Sequence, residues 1–276
     1  MMPTIKFDDM TMNSLSNQSA LNLAQANERK IKAGISRWKA AGIHLGISLG
    51  ISIVVVLLLY FVWYPQPFFD GSGGKFLLML LVGVDVVLGP LITLIIFNTK
   101  KKSLKFDLTI VAALQLAALC YGVYTMYVAR PVFVVFSVDQ FIVIPANDVE
   151  QQMLAKVTRP EFKSLSLTGP KYAYNVPQLS GTDLQAMSLS LDGYAPQFYL
   201  PFSEKATDAA RGGTPLKSLL KRQPQNKDLI EATLKQHGKN ADQIVYFPLI
   251  AKVMTMTALL DAKTGEIMDI LPINPN

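Results

Sequence analysis

The chain has 276 residues, of which half are hydrophobic and only 17% are charged, whereas typical soluble domains hold about 25% charged residues. Charge is nearly absent from three stretches, and each is long enough for the roughly 20 apolar residues that a membrane-spanning helix needs. A wholly soluble protein is therefore excluded. The three stretches are residues 40–69, residues 76–99 with Asp85 as their single charge, and residues 108–129.

The net charge of +6 is unevenly distributed. Residues 1–128 hold 11 Lys or Arg against 6 Asp or Glu, whereas residues 129–276 hold 15 against 14. The basic excess therefore belongs to the apolar half of the chain. The C-terminal half has no basic stripe interleaved with aromatic residues, so no nucleic-acid partner is predicted.

The first 35 residues are predicted to form a cytoplasmic extension that is disordered or partly helical. The run 13–19 is polar and lacks aromatic residues, which is typical of disorder, while a helix is predicted from about residue 18 to 38. The following apolar stretch is too long for a signal peptide, so we expect it to stay in the protein as an anchor.

Residues 36–129 are predicted to form three transmembrane helices, at about 41–64, 76–97 and 108–128. Trp38 and Trp63 flank the first helix and lie roughly 37 Å apart at the helical rise. Such a spacing matches the aromatic belts at the two faces of a hydrocarbon layer about 30 Å thick. Proline follows both the first and the third helix, at Pro65 and Pro131, and ends each of them.

The orientation follows from the lysines and arginines that flank the helices. These residues cluster before the first helix and in the 98–107 loop, whereas the 65–75 loop holds one Lys and one Asp. Positive loops stay in the cytoplasm. The sequence thus predicts a multi-pass protein of the bacterial inner membrane, with a cytoplasmic N-terminus and with residues 130–276 in the periplasm.

Residues 130–276 are predicted to form one α+β domain with a β hairpin at each end. The first hairpin joins residues 132–136 and 141–144, and strands near 244–247, 254–260 and 267–270 close the chain. Asn147 and Glu150 resemble a capping box that opens a helix to about residue 157. Residues 159–180 are predicted to be mostly loop. Further short helices are expected near residues 182–191, 204–210, 214–222 and 226–237.

Small residues recur at helical spacing on two of the predicted membrane helices. Gly42, Gly46 and Gly50 form one stripe, and Ala118 with Gly122 forms another. Such stripes let a second helix backbone approach closely. Three partners stay open for them: the helices of the same bundle, a membrane helix of another protein, or a second copy of the chain.

Asp85 is the most informative single residue, because it lies about 13 Å inside the second helix by the helical rise. A carboxyl at that depth usually faces the bundle interior and has a polar partner. Ser52 and Tyr121 are the partners that depth favours. His44 lies near the cytoplasmic edge and Gln115 nearer the inner half, so both fit less well. Gly89 and Pro90 follow, and Pro90 cannot donate to the carbonyl of Val86, so a kink is predicted there. A structural hydrogen bond or a polar contact to a partner helix is expected, rather than proton transfer.

The sequence offers no catalytic residue set, no metal site and no cofactor motif. Cys120 is the single cysteine, and His44 and His237 are the only histidines. No serine lies in a nucleophile-elbow pattern, and no glycine-rich phosphate loop occurs. A membrane-bound hydrolase is therefore disfavoured, and a non-enzymatic protein is predicted.

Several long motifs together resemble the type IV pilin accessory proteins of the TfpX/TfpZ kind, over about residues 36–276. The first 35 residues lie outside that resemblance, and the middle of the C-terminal domain matches loosely. The motifs that carry it are Ser36–Leu45, Phe61–Pro65, Gly83–Pro90, Phe97–Asn98, Lys102–Leu108, Arg130–Val132, Tyr246–Leu249 and Leu260–Glu266.

The resemblance implies an inner-membrane accessory that modulates pilin stability and pilus assembly through contacts with the pilin, without enzymatic activity or a cofactor. It implies the type IV pilin subunit as a partner, beside membrane lipids and other pilus assembly proteins. The alternative hypothesis is a membrane-tethered periplasmic sensor or ligand-binding protein unrelated to pili.

Overall fold

A computed structural model describes residues 35–176 and 193–276, together with residues 18–19, 21–23 and 188. The predicted N-terminal extension and the predicted helix at 182–191 lie almost wholly outside the described residues. The chain divides into two compact units. Residues up to 49 and 85–115 form one unit, and residues 50–84 and 116–276 form the other.

Three long helices in the described chain are long and apolar enough to cross a membrane. They are α1, Arg37–Trp63, with 27 residues; α3, Gly74–Ile96, with 23; and α4, Leu104–Val128, with 25. Each helix begins two to four residues before its predicted first residue. The basic or glycine residues that precede the apolar stretches are therefore helical as well. A short helix α2, Phe68–Gly71, separates α1 from α3.

Two segments of these helices are π-helical, namely Leu59–Trp63 at the end of α1 and Gly83–Leu88 within α3. The second contains Asp85 and directly precedes Gly89 and Pro90. Because proline has no N–H, the regular ladder of i to i−4 hydrogen bonds cannot continue through Pro90. The helix α3 is therefore irregular close to the predicted kink, and the irregularity takes the form of wider π turns.

The connection between α1 and α3 is part of a larger core, although the sequence indicates only a short turn. Phe68 is buried in the same hydrophobic cluster as Phe136, Phe247 and Met256 of the C-terminal domain. Gly71 accepts a backbone hydrogen bond of 3.0 Å from the N–H of Val253. The α2 connection and the C-terminal domain therefore share one packed interior.

The C-terminal domain holds one mixed eight-stranded sheet. Its strands are β1 Pro131–Ser137, β2 Gln140–Pro145, β3 Lys171–Asn175, β4 Tyr199–Pro201, β5 Thr214–Pro215, β6 Ile244–Ile250, β7 Thr255–Asp261 and β8 Ile267–Leu271. Their order is β4-β3-β1-β2-β6-β7-β8, and β5 also pairs with β6. The β1–β3 and β2–β6 pairs are parallel, and the others are antiparallel.

Apolar clusters lie on both faces of the curled sheet, so the inner strand β1 is buried on both sides. Every residue of β1 is buried, as its unbroken apolar sequence requires. Phe136 faces a core formed with the helix that begins at Phe202, and Phe133 faces a second core with Phe162 and Tyr199. The helices of this domain are α5 Gln151–Ala155, α6 Phe202–Arg211, α7 Leu216–Arg222 and α8 Lys227–Gln236.

One local prediction for the C-terminal domain is wrong. The Asn147 capping box is absent, and α5 begins at Gln151 after a 3₁₀ turn over Ala146–Asp148. Within residues 159–180, the described residues are mostly loop, as predicted, but they include the strand β3, which forms through parallel pairing with β1. The β7–β8 turn agrees with prediction, because Gly265 has a φ of +74°.

Candidate functional site

A row of polar residues lies on the buried face of α1. His44, Ser48 and Ser52 are spaced four residues apart, and the two serines are buried at 6% and 3% exposure. Residues four apart fall on one side of an α-helix, so one face carries all three side chains. Buried polar groups of this kind require partners, since an unsatisfied one costs about 1–3 kcal/mol.

A matching row lies on α3, where Asp85, Gly89 and Thr93 are also spaced four residues apart. All three are buried, although Asp85 carries a carboxyl group. The π-helical segment widens α3 at Asp85. Single π turns inside α-helices occur frequently at functional sites.

Within the unit that contains residues 85–115, the two rows meet at His44 and Thr93. The His44 Nδ1 and Thr93 Oγ1 atoms share a hydrogen bond of 2.6 Å. The imidazole of His44 also interacts electrostatically with the Asp85 carboxyl. His44 is therefore a titratable neighbour of Asp85, although the depth estimated from the sequence disfavours this pair.

Gln115 brings α4 to the same place. A Cβ atom built on Gly89 would lie 1.9 Å from the Nε2 atom of Gln115, so the amide occupies the space that a side chain at position 89 would take. The Oε1 atom of Gln115 is buried and has no hydrogen-bond partner among the described residues. We call the set His44, Ser48, Asp85, Thr93 and Gln115 the polar cluster.

The predicted partners of Asp85 fall in different environments. Ser52 is buried, and its hydroxyl has no hydrogen-bond partner within the described part of the chain. Tyr121 is 73% exposed and does not belong to the buried set, which corrects the expectation that it faces the bundle interior. The cause is the rotation of α4, which turns Gly122 toward Leu81 of α3 and carries Tyr121 about 100° away from that contact. A contact between Asp85 and Ser52 stays a prediction.

Sequence reasoning missed Ser48 and Thr93 and discounted His44 and Gln115. The signal was present, because polar residues recur every fourth position on both α1 and α3 in otherwise apolar helices. Each hydroxyl alone is unremarkable in an apolar helix, and only the two periodic rows together indicate a shared face.

The glycine stripe of α1 lies on the opposite side from the polar row. At 100° per residue, Gly42 and Gly46 are each about 160° around the helix axis from His44. No atom lies within 4 Å of a Cβ built on Gly42, Gly46 or Gly50, and all three glycines are exposed. The helices of the described bundle therefore do not cover this stripe.

The second predicted stripe divides between two environments. Gly122 packs closely, because its Cβ would lie 2.7 Å from Cδ1 of Leu81. Ala118 is exposed. Gly122 thus allows α4 to approach α3, whereas Ala118 lies on an open surface of α4.

The C-terminal domain contains a groove of about 590 Å³ beside α6, with Tyr172, Phe202, Glu266 and Ile267 among its lining residues. Burial raises the pKa of the Tyr172 hydroxyl to about 12, so that group is a neutral donor at physiological pH. Among the described residues no three His, Cys, Asp or Glu side chains are grouped to hold a metal ion.

Known proteins with similar sequences are fimbrial assembly proteins. The family model of "Fimbrial assembly protein FimB" matches residues 32–73, which contain α1 and the α2 connection. A fimbrial assembly protein of serogroups C1 and C2 from Dichelobacter nodosus is 39% identical over 113 residues, covering 40% of this chain and 86% of the relative. The serogroup I protein of that organism is 28% identical over 233 residues, covering 81% of this chain and 90% of the relative. No solved structure matches significantly.

Proposed function

The chain belongs to the fimbrial assembly protein family, and from that premise we propose that it is a non-enzymatic inner-membrane accessory which contacts the type IV pilin. In this proposal it supports the stability of the pilin and its assembly into the pilus. The observation that carries the proposal is the open glycine stripe on α1, a helix that the match to the family includes.

The membrane arrangement of the proposal rests on helix length and on charge. Three helices of 23 to 27 residues pass the length and hydropathy that spanning requires. Basic residues precede α1 and lie between α3 and α4, so these ends are assigned to the cytoplasm. The C-terminal domain is then periplasmic.

Reporter fusions test this arrangement. An alkaline phosphatase fused after Asn276 is expected to be active, because the enzyme folds only outside the cytoplasm. The same enzyme inserted in the 98–107 loop is expected to be inactive. Activity of the loop fusion together with silence of the C-terminal fusion would reverse the topology.

The glycine stripe offers the pilin a place to bind before assembly. Without side chains at positions 42, 46 and 50, the backbone of a second helix can approach α1 closely, which is the main source of helix association in lipid. The polar cluster holds the opposite face of α1 inside the bundle. The two faces therefore separate internal packing from external contact.

Gly46→Leu tests the contact, because a bulky side chain holds two helix backbones apart. We expect a normal level of this protein and a loss of surface pili. The matched control is Ala112→Leu, which makes a similar change at an exposed small residue of α4. Unchanged piliation in the Gly46→Leu strain would remove α1 as the docking surface.

Loss of protein in the Gly46→Leu strain would have a different meaning. It would show that the stripe packs internally, contrary to the open space around Gly46. A cysteine crosslink from position 46 to the pilin membrane helix is the positive measurement, and it must disappear when the pilin gene is deleted.

A further inference from the structure

The turn between β6 and β7, residues 251–254, lies against the connection between α1 and α3. The Val253 N–H donates a hydrogen bond of 3.0 Å to the Gly71 carbonyl oxygen. A Cβ on Gly71 would meet the Ala251 Cβ at 3.1 Å, and a Cβ on Gly73 would meet the Val253 Cγ1 at 3.1 Å. The glycines thus permit direct contact between the two backbones.

The strand register independently places this turn at the helix end of the sheet. Ile142 on β2 is aligned with Ile250 on the parallel strand β6. Beyond this pair, β2 runs on to Pro145, which pairs with Pro131 at the start of β1, and the β6–β7 turn continues from Ile250 in the same direction. Because Pro131 follows α4 directly, the β6–β7 turn lies level with the ends of the long helices.

The exposed side chains of this turn suit a lipid surface. Val253 is 62% exposed, and Lys252 beside it is exposed as well. Lys75, in the first turn of α3, is a second exposed cation close to Gly73, and Asp70 is the acid of that connection. Neither lysine forms an ion pair within the described part of the chain. An apolar tip flanked by unpaired lysines is the chemistry of an interfacial anchor.

We propose that the β6–β7 turn enters the headgroup layer of the outer leaflet, with Val253 at the acyl boundary and with Lys252 and Lys75 beside lipid phosphates. This inference rests on the proposed membrane arrangement. The turn would then add a fourth contact with the membrane beside the three helix ends on that side.

The β1–β2 turn supplies a matched control. Val138 at its tip is 77% exposed, so it resembles Val253 in chemistry and exposure. Six residues separate Pro131 from Ser137 along β1, so Val138 lies roughly 20 Å further along the strand direction. One valine tip is therefore expected in lipid and the other in water.

Fluorescence quenching in vesicles tests the proposal. The full chain with Cys120→Ala carries one new cysteine, Val253→Cys or Val138→Cys, labelled with a small fluorophore. Vesicles of phosphatidylethanolamine and phosphatidylglycerol contain a lipid with a nitroxide close to its headgroup. We expect quenching at position 253 to exceed that at 138 by about twofold or more, since interfacial anchors lie about 5–10 Å into the headgroup boundary. Iodide in the aqueous phase should give the reverse order.

A third label separates this inference from the membrane arrangement. Leu57→Cys lies within α1 at a half-exposed position and should be quenched by a lipid with its nitroxide near the acyl end. Quenching at 57 with equal behaviour of 253 and 138 would overturn the anchor alone. No quenching at 57 would overturn the membrane arrangement and the anchor with it.

Discussion

The Tyr64 hydroxyl donates a hydrogen bond of 2.7 Å to the Met126 carbonyl oxygen and so joins the end of α1 to the last turns of α4. The Tyr64 side chain is fully buried. Tyr64→Phe removes the donor and is expected to lower the free energy of unfolding by about 1 kcal/mol. Thermal unfolding in detergent measures the effect. The control Tyr60→Phe changes an exposed tyrosine and should have little effect, so equal losses would contradict the prediction.

Arg130 is a buried guanidinium at the junction of α4 and β1. Its Nε donates to the Ser166 carbonyl at 2.9 Å, its Nη1 donates to the Tyr127 carbonyl at 2.6 Å, and its Cζ lies 4.0 Å from the Tyr127 ring centroid. Arg130→Lys keeps the charge but cannot reproduce both directed bonds. We expect a loss of about 1–3 kcal/mol of stability and faster proteolysis near residue 166. Unchanged proteolysis would mean that charge alone is required.

Asp85 is expected to act through hydrogen bonding rather than as a catalyst. Asp85→Asn keeps the shape and the hydrogen-bonding groups, so it should retain most pilus assembly. Asp85→Leu removes them from the polar cluster and should lower the amount of protein in the membrane. Immunoblots of the membrane fraction and counts of surface pili separate the two effects. Loss of pili with Asn at a normal protein level would show that the charge itself contacts the pilin.

Gly265 and Gly238 provide a matched pair for backbone strain in the C-terminal domain. Both have positive φ, +74° and +62°. A Cβ on Gly238 meets no atom within 4 Å, whereas one on Gly265 would lie 2.0 Å from the Ala206 carbonyl oxygen on α6. We expect Gly238→Ala to cost about 1 kcal/mol. Gly265→Ala should cost about 3 kcal/mol, because the backbone clash adds to the strain.

Chemical denaturation of the full chain in detergent compares the two glycine variants. Similar losses for both would show that the β7–β8 turn can move away from α6. That result would contradict the close packing of Gly265 against Ala206.

The buried Asp261 carboxylate predicts a dependence of stability on pH. A hydrogen bond from Lys239 Nζ at 2.7 Å, with those from the Thr264 and Lys263 N–H groups, holds the pKa of Asp261 well below its usual range. Because its pKa is lower in the folded state, the carboxylate stabilises that state at pH values above the unfolded pKa of about 3.9. This stabilisation is lost as the pH falls through the pKa of the folded state.

Asp261→Asn should therefore cost about 1.5–3 kcal/mol at pH 5 to 7. The difference in the free energy of unfolding between the variant and the unchanged protein should shrink below about pH 4, because the Asp261 carboxylate then stabilises the folded state less. Denaturation at several pH values measures it. The control Asp242→Asn alters a carboxylate that is 68% exposed and should show no such trend.

Local patterns were sufficient to predict the three long helices, the β1–β2 hairpin and the turn at Gly265. Helices in apolar stretches satisfy their own backbone hydrogen bonds, and a hairpin pairs neighbouring residues, so each depends on a short window of sequence. The buried position of Asp85 also follows from the local sequence, because a carboxyl in an apolar helix must turn away from hydrocarbon.

Only the tertiary structure decided which way each helix turns and which distant strands pair. The rotation of α4 exposes Tyr121 because Gly122 packs on Leu81, and the rotation of α1 buries Ser48 and leaves Gly46 open. The parallel pairing of β3 with β1 and the burial of Phe68 in the C-terminal core join segments far apart in the chain. Such contacts depend on the shape of the whole core, and a short stretch of sequence holds no information about that shape.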